Sequence, residues 1–313
     1  MDCQYTSLDN EALLHIEGPD SLTFLQGQTT CDTRLVNNGQ AVQGAYCTPK
    51  GRVVCDFLLC EIADHHYVLR MRQNIIETAA ATFGKYIVFS KAEVDSGNSQ
   101  WQIFGCWGSD AKIVLGKLFG AVPDEPLGSA IGEGFAVVQI DRAGCQFECY
   151  INTLSHPELA AQLSSTLAIA EPSTWLALQI DQGIGRIEAA TVEEFIPQML
   201  NYDLTGHISF NKGCYTGQEV VARLHYRGKS KRRLYLAQLE TDPPAPAGAP
   251  LYSAESRQSV GTVVNSVLSP AGRSLLVVAT VSGVESGLHL GEPEGPLLAC
   301  QSLYDEESSD VAS

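Results

Sequence analysis

The feature of this sequence that most restricts its fold is a break in pattern at Arg233. Beyond it the chain holds short strand-like runs at 234–240, 250–253, 259–267, 274–282 and 297–304, parted by turn residues, with the proline-rich stretch from Asp242 to Pro250 the longest interruption. Short strands at such spacing bury little on their own and close readily into a ring, so a small β-barrel is expected over 233–304. Before the break, strands and helices interleave with short links. Strand-like runs fall at 11–17, 42–47, 52–62, 66–72, 86–94, 101–106, 135–141 and 146–151, and helical ones at 21–26, 74–84, 111–118, 156–168 and 174–182. That interleaving makes residues 1–232 α+β, read as two interleaved subdomains. The acidic, polar end, 305–313, is expected to be disordered.

Helix starts are marked by side chains that accept backbone N–H bonds. Asp20 and Asp110 stand in capping positions, Asp32 reads as a cap or turn residue, and Thr191 with Glu194 and Thr216 with Glu219 have capping-box spacing. The second box would start a helix at Gly217 or Gln218. Cys214 lies just before that helix, where unpaired N–H groups favour an anion, and Lys212 and Arg223 would add to the effect if folded close. A small buried cysteine in a turn is the alternative. His207, seven residues earlier, is a possible base for the thiol, although a lone histidine in a strand is more often structural.

Charge narrows the partners. Twenty Lys and Arg against 36 Asp and Glu give a net charge of −16, which disfavours direct nucleic-acid binding. Six of those cations nevertheless crowd into 223–233, Arg223, Arg227, Lys229, Lys231, Arg232 and Arg233, which reads as either a local anion site or a solvated face. No apolar run approaches the roughly 18–20 residues of a membrane span. The N-terminus lacks signal-peptide features, so a cytoplasmic location is expected. The ten cysteines include no Cys-x-x-Cys pair and match no zinc or ferredoxin spacing, so most are expected to be apolar filler. Cys145 and Cys149 are four apart in a strand-like run, which makes a metal pair there improbable.

On helix 174–182, Trp175, Leu178, Gln179 and Gln182 share a face, and Trp175 is placed either to stack on a flat heterocycle or to pack in the core. Arg186 and Glu188 follow on one side of an extended segment. A carboxylate there can accept the paired N–H donors of an amino-pyrimidine edge, or form a surface ion pair.

The run Lys212-Gly-Cys-Tyr-Thr-Gly-Gln-Glu-Val-Val-Ala-Arg223 resembles the signature of the YgfZ family. The family comprises folate-binding proteins related to the glycine-cleavage T-protein and associated with iron–sulfur cluster assembly or repair. Gly18-Pro19-Asp20, Phe24-Leu25-Gln26-Gly27-Gln28, Pro49-Lys50-Gly51-Arg52, Lys85 to Lys91, Phe195-Ile196-Pro197-Gln198 and Arg227 to Arg232 fit the same family in order. The resemblance implies an aminomethyltransferase-like folate-binding fold, followed by the barrel. It implies tetrahydrofolate or a derivative as cofactor, with Trp175 a folate contact. The family's other such tryptophan has no counterpart in residues 9–14. Arg186, Glu188, Lys212, Tyr215, Gln218, Glu219, Arg223 and Arg227 are further candidate binding residues, the basic strip taking the folate's glutamate carboxylates. Cys214 is the functional thiol expected to meet transient iron–sulfur species and partner or client proteins. In the segment where the T-protein carries two adjacent aspartates, this chain has Cys55 and Asp56. Asp56 therefore supports a second reading, a one-carbon transferase or demethylase. A third, a folate-binding protein related to tRNA modification, follows from how family members have been labelled.

Overall fold

The structure, a computed structural model, describes residues 2–36, 39–97, 100–240, 243–269 and 272–304. The expected tail at 305–313 and the first residue of the proline-rich stretch, Asp242, lie outside them. Two compact units form. The first contains Met1–Tyr46, Cys55–Pro172 and Asn211–Tyr215, and the second contains Cys47–Val54, Ser173–Phe210 and Thr216–Ser313.

The first unit is built on two sheets. One orders Val42–Cys47, Val53–Ala63, His66–Arg72, Glu11–Glu17 and Glu93–Asp95; the other orders Ala168–Ile169, Gln4–Ser7, Trp101–Trp107, Gln146–Asn152, Phe135–Gln139 and Ser129–Gly132. Helices Ala111–Phe119 and Pro157–Thr166 bury Val114, Leu115 and Leu163 in one core with Phe104, Cys106, Phe147 and Cys149 of the second sheet. Cys149 is buried 3.9 Å from Cys106, while Cys145 is only half-buried. Helix Ile76–Ile87 runs three residues past its expected end because Ile76, Ala79, Phe83 and Ile87 fall at helical spacing and are all buried. The strand expected at 86–94 shrinks accordingly to Glu93–Asp95.

Ion pairs link the two sheets of this unit. Arg70 donates from Nε to Glu148 at 2.8 Å and lies 3.5 Å from Glu11, which also accepts from Arg72 at 2.8 Å. The Tyr150 hydroxyl donates to the same Glu148 oxygen at 2.8 Å. A buried charge stripped of its partner costs far more than the pair contributes.

In the second unit the barrel is closed. Its strands run in the order Arg232–Leu239, Gly272–Thr280, Ser256–Ser269, Pro250–Ser253, Leu288–Leu290 and Leu297–Ser302, the last returning to the first. Leu251, Val263, Leu275, Val277, Leu288 and Leu298 fill it. The strand Leu288–Leu290 is absent from the sequence reading because three residues are too few to show alternation.

The capping aspartates act elsewhere. Asp20 and Asp110 precede their helices without a side-chain cap bond. Their carboxylates accept instead from the backbone N–H of Lys91 (2.8 Å) and of Asp2 (3.0 Å). Asp32 does cap, accepting from Arg34 N.

Replacing Arg70 by Met is expected to cost about 3–5 kcal/mol in chemical unfolding, by leaving Glu148 buried without its cation and Glu11 with Arg72 alone. The double variant Arg70→Met, Glu148→Leu should recover part of the loss. Equal stability of wild type and Arg70→Met would contradict this account of the two sheets.

Candidate functional site

In the first unit the candidate site begins with a buried lysine. Lys212, only 7% exposed, donates from Nζ to the carbonyl oxygens of Thr29 and Cys31, each at 2.6 Å. Thr29 is the C-terminal cap of helix Ser21–Gln28, so one acceptor is an oxygen that the helix leaves unpaired, at the end where its dipole favours a cation. The ammonium also lies 5.2 Å from the ring centre of Tyr215, itself buried. Lys212 and Tyr215 thus anchor both ends of a two-residue bulge, and Gly213 and Cys214 between them are exposed. Cys214 is the one cysteine that stands exposed, whereas Cys31 beneath the lysine is buried and its thiol is pushed up by desolvation. Asp56, 2% exposed, lies on strand Val53–Ala63.

The remaining motif stretches of this unit support that loop's floor. Gly18, at φ +133°, approaches so close to the Lys91 carbonyl that a Cβ would sit 2.3 Å from it. The Asp20 bond to Lys91 N locks the same contact. Gly18-Pro19-Asp20 and the 85–91 stretch are therefore one packed corner beside helix Ser21–Gln28.

In the second unit three other motifs meet. Gly51 faces Val220 of helix Gln218–Arg227, where a Cβ would lie 2.8 Å from the valine Cβ. Gly217, at φ +84°, faces the Thr48 carbonyl at 2.4 Å from where its Cβ would be. No other residue type fits either contact without displacement. Val53 N donates to Phe195 O (2.8 Å), and the Gln198 amide donates to Val221 O (2.8 Å). The helix starts at Gln218 as expected, but its N-cap is Gly217, in a left-handed conformation without a side chain, and not Thr216. The need for a tight approach to Thr48 outweighs a capping hydroxyl. Gln218 is half-buried, while Glu219, Arg223 and Arg227 are exposed on the helix.

Trp175 and Gln179, one turn apart on helix Pro172–Asp181, are both buried, and the Gln179 Nε2 has no hydrogen-bond partner among the described residues. An orphaned buried amide is a costly feature unless a ligand or water takes it. Arg186 is buried and Glu188 half-buried, and both are held by Asn265, which sequence reasoning missed. Its side chain accepts from Arg186 N at 2.7 Å and donates to Arg186 O and to Glu188 Oε1, both at 3.0 Å. Asn265 reaches them because the strand Ser256–Ser269 shifts register between Val263 and Asn265. Val263 faces the barrel core, and the extra residue turns Asn265 to the opposite side. Glu188 also forms the capping box, with Thr191, around Ala189–Thr191; the box expected of Thr191 and Glu194 is displaced by one turn. His207 is buried. Its ring stacks on Tyr202 at 4.1 Å and its Nδ1 lies 2.7 Å from the Thr205 hydroxyl. The candidate residues thus divide, with Asp56, Lys212, Cys214 and Tyr215 in the first unit and Trp175, Arg186, Glu188, Gln218, Glu219, Arg223 and Arg227 in the second.

Sheets and barrel in this order define an aminomethyltransferase-like fold. The structure of glycine cleavage system aminomethyltransferase T from Bartonella henselae superposes with a TM-score of 0.76 over 96% of this chain and 86% of that one, at 17% identity. The GCVT N-terminal domain model matches residues 5–128. Within that class, the tRNA-modifying protein YgfZ of Cronobacter sakazakii is 32% identical over 283 residues, 90% of this chain and 85% of the relative. That of Hamiltonella defensa is 34% identical over 233 residues, 73% and 68%. The chain belongs to the YgfZ family.

Burial lowers the Lys212 ammonium to about 8. The neutral amine still has two N–H groups for the same two carbonyls, so losing the proton need not break the anchor. An unfolded lysine holds its proton to about 10.4, so above pH 8 the unfolded chain binds more protons and this group's contribution to stability rises with pH. Lys212→Met is expected to lose about 2 kcal/mol at pH 7 by orphaning two carbonyls. The deficit should widen between about pH 8 and 10 in urea unfolding; a constant or shrinking deficit would contradict the buried-amine account.

Proposed function

We propose that this chain is a folate-dependent factor for the assembly or repair of iron–sulfur clusters, with Cys214 as its working thiol. The observation that carries the reading is the contrast among the cysteines: seven are buried, two are half-buried, and Cys214 is exposed between two buried anchors. Reaction with a partner's iron, sulfur or disulfide requires a thiolate that a second protein can touch. The cluster, or its iron and sulfur, is cargo in this reading.

Features of the second unit support reduced folate as the ligand. The Gln179 amide needs an acceptor, which a pterin's carbonyl and ring nitrogens supply, and Trp175 offers an aromatic face on the same helix. Glu188, held by Asn265 and by its own capping turn, is a fixed acceptor for an amino-pyrimidine edge. Arg186 is bound into that support through its backbone. When bound, folate supplies a one-carbon carrier. The relatives' name supports tRNA modification as the process served; the two readings meet if the client is an iron–sulfur enzyme that acts on tRNA. A cytoplasmic setting belongs to the same proposal.

A one-carbon transferase is the second reading, favoured by the buried carboxylate of Asp56 within an aminomethyltransferase-like fold. The two are separated in cells lacking this protein, by the activity of a [4Fe–4S] enzyme restored at matched expression. Wild type and Asp56→Asn are expected to rescue and Cys214→Ala to fail. Rescue by Cys214→Ala with failure of Asp56→Asn would reverse the assignment. For the cofactor, Trp175→Ala should weaken tetrahydrofolate binding about tenfold by titration calorimetry, in line with the roughly 0.5–1.5 kcal/mol of an aromatic stack. Unchanged affinity would remove Trp175 from the site.

A further inference from the structure

The second unit carries a surface on which an exposed aromatic ring stands among the cations. The structure sorts the cationic strip at 223–233. Arg233 is engaged, donating to Asp203 at 2.7 and 3.0 Å and to Gln198 O at 2.9 Å, and Arg232 opens the first barrel strand opposite Thr280. Arg223, Arg227, Lys229 and Lys231 remain exposed, and residues 223–233 contain no carboxylate. Among these cations stands Tyr226, 68% exposed. Its ring is braced from within the unit. His225 stacks on Phe210 at 3.6 Å and 11°, and Tyr226 meets His225 edge-on at 4.8 Å and Phe210 at 6.3 Å. An aromatic ring held at the surface by two others, between cations that have no ion-pair partner among the described residues, is a poor design for a solvated face. It is a suitable one for an anionic polymer that carries planar bases.

We propose that this face binds an unpaired stretch of RNA, with a base stacked on Tyr226 and the flanking phosphates taken by Arg223, Arg227, Lys229 and Lys231. A stack on an exposed ring needs a base that is not already stacked in a duplex, and each such contact is worth about 1–3 kcal/mol. Glutamate carboxylates, whether of a folate or of an acidic peptide, would use the cations and leave the ring idle. The net charge of −16 opposes the polymer at long range, so affinity is modest and rests on the local contacts. Four phosphate contacts on a single strand imply a log–log salt slope of about −2 to −3. The choice of RNA over DNA rests on the tRNA-modification reading; the stacking surface does not.

The test is fluorescence anisotropy of a labelled twelve-residue oligouridylate with the full chain at low salt, beside the equivalent oligothymidylate, a duplex RNA of equal length and a polyglutamate competitor. The expected result is micromolar binding with the stated salt slope, about tenfold weaker in Tyr226→Ala, retained in Tyr226→Phe, and lost in the pair Arg223→Glu, Arg227→Glu. Duplex RNA should bind at least several-fold more weakly. Absence of binding, or equal binding by Tyr226→Ala, would overturn the proposal. Displacement by polyglutamate at equal charge concentration would overturn it in favour of an acidic ligand, and equal affinity for oligothymidylate would overturn the choice of RNA. Tetrahydrofolate is titrated separately on the same preparation, so that either ligand can fail alone.

Discussion

A lysine ammonium stays buried only where oxygen atoms take its N–H groups, because bare desolvation of the charge would cost several kcal/mol. Lys212 meets that condition at the carbonyls of Thr29 and Cys31, and everything distinctive about the neighbouring loop follows from it. With Lys212 and Tyr215 both drawn inward, the two residues between them have nowhere to go but out. Gly213 allows the excursion and Cys214 is carried to the surface by it. The lysine thus acts as an anchor that presents a thiol. Its short reach to the end of helix Ser21–Gln28 also explains why the Phe24–Gln28 and Lys212–Tyr215 stretches belong together although about 185 residues separate them.

The motif stretches sort by unit. Gly18-Pro19-Asp20, the Phe24–Gln28 helix, the 85–91 corner and the Lys212–Tyr215 loop belong to the first. Pro49–Arg52, Phe195–Gln198, and Thr216 onward belong to the second. The twelve-residue signature is therefore cut between Tyr215 and Thr216, with its thiol in one unit and its helix in the other. A run that reads as one continuous motif in sequence serves two structural bodies. In the second, Gly217 and Gly51 are needed for close approach, to the Thr48 carbonyl and to Val220.

What sequence could reveal was local. The barrel, the strand runs at 42–47, 52–62 and 66–72 and the helix start at Gln218 all follow from periodicity and turn chemistry within a few residues. What it could not reveal was partnership at a distance. Asp20, Asp110 and Thr216 stand in capping positions by spacing, yet Asp20 and Asp110 serve Lys91 and Asp2, and a glycine takes the cap from Thr216. Asn265 is 79 residues from Arg186 and reaches it through a one-residue register shift, a device that leaves no local signature. The orphaned amide of Gln179 is likewise visible only once the helix is packed. The strip at 223–233 was legible as charge, but the bracing of Tyr226 by His225 and Phe210 was not.

The most direct measurement is the alkylation rate of each cysteine in the native protein, resolved by mass spectrometry after brief iodoacetamide pulses near neutral pH. Cys214 is expected to label fastest, and the seven buried cysteines only after unfolding. Labelling of Cys214 no faster than that of buried Cys31 would contradict a thiol held out for a partner between the Lys212 and Tyr215 anchors.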